Sequence, residues 1–255
     1  MISMTERPSV INFINMYEEH PLCTPPQNQT ARIWRYMDVT KLLSMLDGSL
    51  WFSNITCVDD PLEGFLNRAT VKKFRELPKD LPKINEEAVK KTIEENLKII
   101  KWGRGLLNIS SWHMNEGESA AMWQLYLKSE NGIAIQSTYR RLRDSFKDSK
   151  EAVHIGIVKY IDEDDDTIDW RNVINYALHK RKSFEHEKEL RAIVFSPSDN
   201  GGGSVDIDLE VLIEKIFVAP NSPKWTYELI KRTVRKYGFD KIPVEQSEMY
   251  PAPLY

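Results

Sequence analysis

Short extended stretches and helical stretches follow one another irregularly along this chain of 255 residues, and that order constrains its fold more than any other feature. A doubly wound sheet needs strand and helix in regular alternation, whereas irregularly interspersed strands suit a mixed α+β sheet. Extended segments are expected at residues 32–37, 49–53, 106–112, 132–137, 153–160, 187–195, 215–219 and 242–245. Between them, amphipathic periodicity predicts helices over 38–46, 119–128, 139–146, 170–182 and 222–237. Asp38 suits the N-cap of the first, and Gly48 its C-terminal turn. Lysine- and glutamate-rich helices over 65–77 and 86–100 read as a helical insertion near residues 65–102, because strand signals resume at once afterwards. A short helix over 9–19 and a Pro-rich lead-in to residue 30 complete a single α+β domain, its central sheet mixed and mostly antiparallel, with helices around it.

Charge and cysteine content narrow the function. A net charge of −3 offers no overall basic field for coating a polyanion. Cys23 and Cys57 are the two cysteines, too few for a disulfide framework or a four-thiolate metal site, which points to a reducing, cytoplasmic setting. The first ten residues carry Glu6 and Pro8 and read against a signal peptide, and no apolar stretch is long enough to span a bilayer.

Several familiar motifs fail on inspection. Gly103 and Gly105 are not followed by the third glycine of a dinucleotide fingerprint. Gly201, Gly202 and Gly203 read as a flexible hairpin tip rather than a phosphate cradle. His186-Glu187 begins like a zinc-protease helix, but Leu190 stands where the second histidine is needed, so no metal is expected. The acidic run from Asp162 to Asp166 reads as a solvated turn.

Polar and aromatic residues nevertheless gather in four islands. Glu187 and Glu189, two apart on a predicted strand, would share one face with Arg191. Beside Leu190, Ala192, Ile193 and Val194 such acids need partners or water, and close carboxylates push one pKa upward. The same spacing also fits a surface ladder at an exposed strand end. Asp59-Asp60-Pro61-Leu62-Glu63 is foremost a turn-and-cap signal. Trp112, Met122, Trp123 and Tyr126 read first as packing, with a stacking wall for a flat ligand as the sharper alternative.

Taken in order, Trp34 to Met37, Leu50 to Asn54, Asp59 to Gly64, Ala121 to Tyr126, Asn131 to Ile135 and Lys180…Phe184…Glu187 to Arg191 resemble the bacterial domain-of-unknown-function family numbered 2971. The likeness covers about residues 30 to 220. Asp59 stands where that family usually has asparagine, Phe184 where it has tryptophan and His186 where it has tyrosine. The resemblance implies a bacterial stress, toxin or phage-defence setting and supplies no activity.

An early-strand arginine, a hydroxyl pair on a middle strand and a late Glu-x-Glu are also similar to ADP-ribosyltransferases, although the middle motif here is Ser-Ser-Trp rather than Ser-Thr-Ser. That resemblance implies NAD as substrate. Arg35 would bind the diphosphate or ribose, Ser110 and Ser111 would shape the nicotinamide pocket, Glu189 would stabilise the oxocarbenium-like cation, and Glu187 would orient the acceptor. Tyr36, Ser53, Asn54, Asp60, Glu63, Trp112, Trp123, Tyr126, Lys180 and Arg191 complete the candidate site. The expected partner is a small nucleotide, with nucleic acid or protein as acceptor. Two other readings stay open: a non-catalytic module binding a nucleotide, nucleic acid or peptide, and a metal-dependent nuclease using Asp59, Asp60, Glu63, Glu187 and Glu189.

Overall fold

The structure is a computed structural model and describes residues 19–75, 86–126, 132–198 and 200–250. The helix expected over 9–19, the segment joining the two insertion helices, and the turn at Asn131 lie outside the described residues.

Eleven strands and eight helices are described. In chain order these are β1 (Arg32–Asp38), α1 (Val39–Met45), β2 (Ser49–Asn54), α2 (Arg68–Arg75), α3 (Glu86–Arg104), β3 (Leu107–Met114), α4 (Ala120–Tyr126), β4 (Gly132–Thr138) and α5 (Tyr139–Asp144). There follow β5 (His154–Ile157), β6 (Lys159–Ile161), α6 (Ile174–Leu178), β7 (His179–Arg181), β8 (Glu189–Phe195), β9 (Gly202–Asp206), α7 (Leu209–Leu212), β10 (Lys215–Val218), α8 (Lys224–Lys236) and β11 (Val244–Gln246). Nine strands form one mixed, mostly antiparallel sheet. It runs β11-β10-β4-β1-β3-β2-β9, with β8 paired to β3 and β5 to β8. The pair β10–β11 is parallel, as is the separate pair β6–β7.

Two strands share one edge of β3. β8 occupies the other edge along its length, from Leu107↔Phe195 to His113↔Glu189. On the near edge β1 pairs only at the C-terminal end, Trp34↔His113, and β2 only at the N-terminal end, Ser53↔Ile109. Ser110, Ser111 and Trp112 therefore flank a gap where β1 and β2 diverge.

One face of the sheet carries the large core: Ile33, Leu50, Trp112, Leu190, Ala192 and Ile216 meet Leu42 of α1, Leu142 of α5, Leu212 of α7 and Ile230 of α8. The other face carries two smaller clusters. Ile109 and Ile193 pack with Leu178 of α6, while Trp34 and Tyr36 pack with Met122 and Trp123 of α4. Between them the strand pattern turns polar: β3 continues Leu107, Ile109 with Ser111, His113, and opposite it Phe195, Ile193 give way to Arg191, Glu189. The site falls in that interval.

Several expectations change. Glu187 is not on a strand; it ends a 3₁₀ turn, Lys182–Glu187, and β8 begins at Glu189. The 170–182 helix contracts to α6, because His179, Lys180 and Arg181 extend to pair with β6. Gly202 and Gly203 are no hairpin tip: they open β9, opposite Ser53 and Phe52, and at Gly202 only a residue without Cβ can lie against Phe52 O. The acidic run is not merely solvated. Asp164 pairs with Arg68, and the backbone carbonyls of Asp162 and Asp166 accept from buried Asn67, which ties the run to α2. The Asp38 cap forms as expected, accepting from Lys41 N. No helix among the described residues is long and apolar enough to cross a membrane.

Candidate functional site

A cavity of about 360 Å³ opens on the polar interval of the sheet, within the range of small-molecule sites. Its floor is β3 and β8, its walls are β1, the end of α4 and the loop after β2, and Lys180 and Phe184 close one side.

At its base lies a buried ionic cluster. Arg191, 1% exposed, donates from Nε to Glu189 Oε2 at 2.7 Å, from Nη2 to Glu189 Oε1 at 3.1 Å and from Nη1 to Glu63 Oε1 at 2.9 Å. Lys180 Nζ sits 2.5 Å from Glu187 Oε2, 2.6 Å from Glu189 Oε1 and 3.7 Å from Glu63 Oε2. Three carboxylates thus face two cations. Fully ionised, the cluster carries one net negative charge, and one proton neutralises it. The proton belongs on Glu187: burial, then the hydrogen bond and charge of Glu189, lift it to about 7, against the pull of Lys180. Burial would raise Glu189 too, but Arg191, Glu187 and Lys180 hold it well below the ordinary carboxylate range. Burial would lower Lys180, yet the adjacent carboxylates raise it above its usual value. The two neighbouring acids are therefore driven apart, one permanently ionised and one poised near neutrality.

Local backbone features aim these side chains. Lys188 adopts left-handed φ 42, a conformation unfavourable for a residue with Cβ, and this reverses the chain so that Glu187 and Glu189 meet. His113 Nδ1 bonds Glu187 O at 2.6 Å, and Lys188 O accepts from Met114 N at 2.9 Å, which fixes the turn on β3. Tyr160 Oη accepts from Glu189 N at 2.8 Å. Glu63 is set by Gly64, at φ 72 with no room for a Cβ beside Ile55, and by Arg104 Nε, which donates to Glu63 O at 2.9 Å.

Arg35 spans the gap in the sheet. It donates to Ser110 Oγ and, at 3.2 Å, to Trp51 O, tying β1 to β3 and β2, with its guanidinium 5.7 Å from the Trp112 ring. Burial lowers its pKa to about 10, so it stays cationic at neutral pH. Along the opposite wall Tyr36, Met122, Tyr126 and His113 give an aromatic and apolar lining. Tyr36 stands edge-on to Trp123 at 5.0 Å.

Of the residues singled out in the sequence, Arg35, Tyr36, Ser53, Asp60, Glu63 and Ser111 line the cavity, as do Trp112, Tyr126, Lys180, Glu187, Glu189 and Arg191. Three do not. Asn54 is architectural, donating to Gly105 O and capping Thr56 N. Ser110 lies behind the lining, bonded to Arg35. Trp123 backs Tyr36 and donates from Nε1 to Glu118 at 2.9 Å. Asp60 keeps its turn role, accepting from Leu62 N at 3.0 Å, and also pairs with Arg181 at 2.8 Å. The acids of the nuclease reading, Asp59 included, all line the cavity, but four of them are already held by cations: Asp60 faces Arg181, and Glu63, Glu187 and Glu189 surround the Lys180 ammonium. Sequence reading left His113 and Lys41 out of the site and named Phe184 without giving it a role, yet all three line the cavity. His113 was reachable, being two residues beyond Ser111 on the same strand face.

No family model matches the chain, and no curated protein matches it. Among solved structures it is similar to Thermus sp. 2.9 DarT in complex with NAD+, at 10% identity and a TM-score of 0.42 over 88% of this chain and 98% of that one. The same protein in complex with carba-NAD+ gives 10% identity and a TM-score of 0.39 over 86% and 96%. In complex with ADP-ribosylated ssDNA it gives 10% and 0.40 over 88% and 95%.

Proposed function

We propose that this chain acts on NAD, breaking the bond between nicotinamide and ribose and passing ADP-ribose to an acceptor hydroxyl or amine, or to water. One observation carries the proposal: Arg35 and the unequal carboxylate pair Glu187/Glu189 line a single cavity whose other wall is aromatic. These are the groups the reaction requires. The Arg35 guanidinium faces the diphosphate. Tyr36 and Tyr126 flank the nicotinamide ring. As the C1′–N bond breaks, its electron pair leaves with nicotinamide, and the permanently ionised Glu189 meets the oxocarbenium charge on the ribose. The acceptor's oxygen or nitrogen then bonds C1′, and its proton passes to Glu187, whose pKa near neutrality suits a general base. Ser111 and Ser53 supply hydroxyls to the sugar or carboxamide. The acceptor class is nucleic acid or protein, and such a modification fits a toxin or phage-defence setting.

The test is release of free nicotinamide from NAD, followed by chromatography. Glu189→Gln should abolish release while NAD binding persists, measured below the variant's lowered thermal transition, since buried Arg191 and Lys180 lose an ionic partner. If the wild-type protein binds NAD without ever releasing nicotinamide, alone or with nucleic acid and protein acceptors, the site is a binding module and the catalytic reading fails.

A further inference from the structure

His113 has a hydrogen-bonding capacity that the reaction above leaves unused. Its Nδ1 lies 2.6 Å from the backbone oxygen of Glu187. A carbonyl oxygen only accepts, so the proton must sit on Nδ1. In the neutral ring Nε2 is then an acceptor with a free lone pair. Burial, first, keeps the imidazole below its ordinary pKa, with Lys188 and His186 adding to that and the Glu187 hydrogen bond opposing it. Nε2 has no protein partner among the described residues, and it is not among the buried polar atoms sealed from solvent without one. His113 itself is only 5% exposed and lines the cavity. Nε2 therefore opens on the cavity. Its ring stands edge-on to Tyr36, with centroids 6.4 Å apart, and it lies opposite Glu189 of β8, so it sits where the aromatic wall meets the ion pairs.

An acceptor-only nitrogen at the end of an aromatic slot selects a flat ring bearing an N–H donor and rejects one bearing an anionic oxygen. We propose that His113 is a specificity-determining residue, its Nε2 accepting from the carboxamide NH₂ of nicotinamide and discriminating against a pyridine carboxylate. This rests on the NAD reading of the site. His113 touches no reacting atom; it reads the leaving group and, through Nδ1, steadies Glu187.

The two roles can be separated by substitution. His113→Asn keeps a short donor where Nδ1 lies and removes the acceptor at Nε2. His113→Gln keeps a polar group at the far end and loses the donor to Glu187 O. Dissociation constants would be measured calorimetrically for NAD and for nicotinic acid adenine dinucleotide, which differ only in amide against carboxylate. The wild-type protein should favour the amide by at least about tenfold, the cost of setting an unpaired acceptor against an anion. H113N should bring the ratio to within about threefold of one while keeping the wild-type melting temperature. An unchanged ratio in H113N, or a ratio lost in H113Q and kept in H113N, overturns the assignment and leaves the NAD reading standing. If neither dinucleotide binds the wild-type protein, the NAD reading fails and this inference falls with it.

Discussion

Replacing Glu187 with glutamine should leave stability almost unchanged at about pH 4 and raise it markedly at about pH 8. Glu187 is a half-buried acid whose ionisation is opposed by burial and by Glu189, so it titrates at about 7 rather than 4.5. An acid with a raised pKa in the folded state contributes stability that is whole below its unfolded value and is lost as pH rises through the folded one. The window is therefore between 4.5 and about 7. Across it, at ~1.4 kcal/mol per pH unit, the wild-type protein loses about 3 kcal/mol that glutamine, having no proton to lose, retains. For a chain of this size, ~2–4 °C per kcal/mol turns that into roughly 6–12 °C of melting temperature. The assay is thermal or urea denaturation of both proteins in buffers from about pH 4 to pH 8. The difference should grow with pH and level off above neutrality. A difference that is constant with pH, or that narrows as pH rises, would refute the claim that Glu187 is the proton-carrying member of the cluster. The same variant should also lose transfer to hydroxyl acceptors, since an amide cannot take the acceptor's proton.

Removing Arg191 acts in the opposite sense. Arg191→Leu strands the carboxylates of Glu63 and Glu189, which are 3% and 4% exposed, and should cost about 3–5 kcal/mol, read as a fall in the urea midpoint. A loss under about 1 kcal/mol would show that Lys180 alone suffices to hold them. Lys188→Gly removes the penalty of the left-handed φ 42 and should stabilise the protein by up to ~1 kcal/mol, whereas Lys188→Val should destabilise it by more, both by thermal melting.

Much of this fold is written in periodicity. Most strands of the sheet and the longer helices over its large core show apolar repeats of two or near three and a half residues, and Asp38 marks its own cap, whereas β9 and the short α7 are not legible this way. What escaped the sequence has a common physical cause: long-range pairing overrode local preference. Glycines 202 and 203 form a strand edge because β2 offers them partners, against their own turn propensity. His179 to Arg181 leave the helix for β7 because β6 lies alongside. Asn54 and Trp123 have the composition of a site but meet Gly105, Asn108 and Glu118 instead, and no local pattern records those contacts.

The acidic pair shows how a local rule can give the right neighbours through the wrong geometry. Spacing two apart suggested one strand face, yet Glu187 stands on a 3₁₀ turn, and the carboxylates meet because Lys188 reverses the chain. This difference has a chemical consequence. Two acids on one strand face would still oppose each other's ionisation, but equal depth would not decide which of them keeps the proton. A turn lets Glu187 sit toward the cavity mouth, its side chain 15% exposed, while Glu189, at 5%, sinks against Arg191. Unequal depth makes one an acid near neutrality and the other a fixed anion, so the strained Lys188 turn separates the two roles. The face beneath them obeys the same logic. β3 and β8 keep strict alternation, but from Ser111 and Arg191 onward the inward positions hold polar side chains, so the cavity exists where the core pattern continues in period and changes in chemistry.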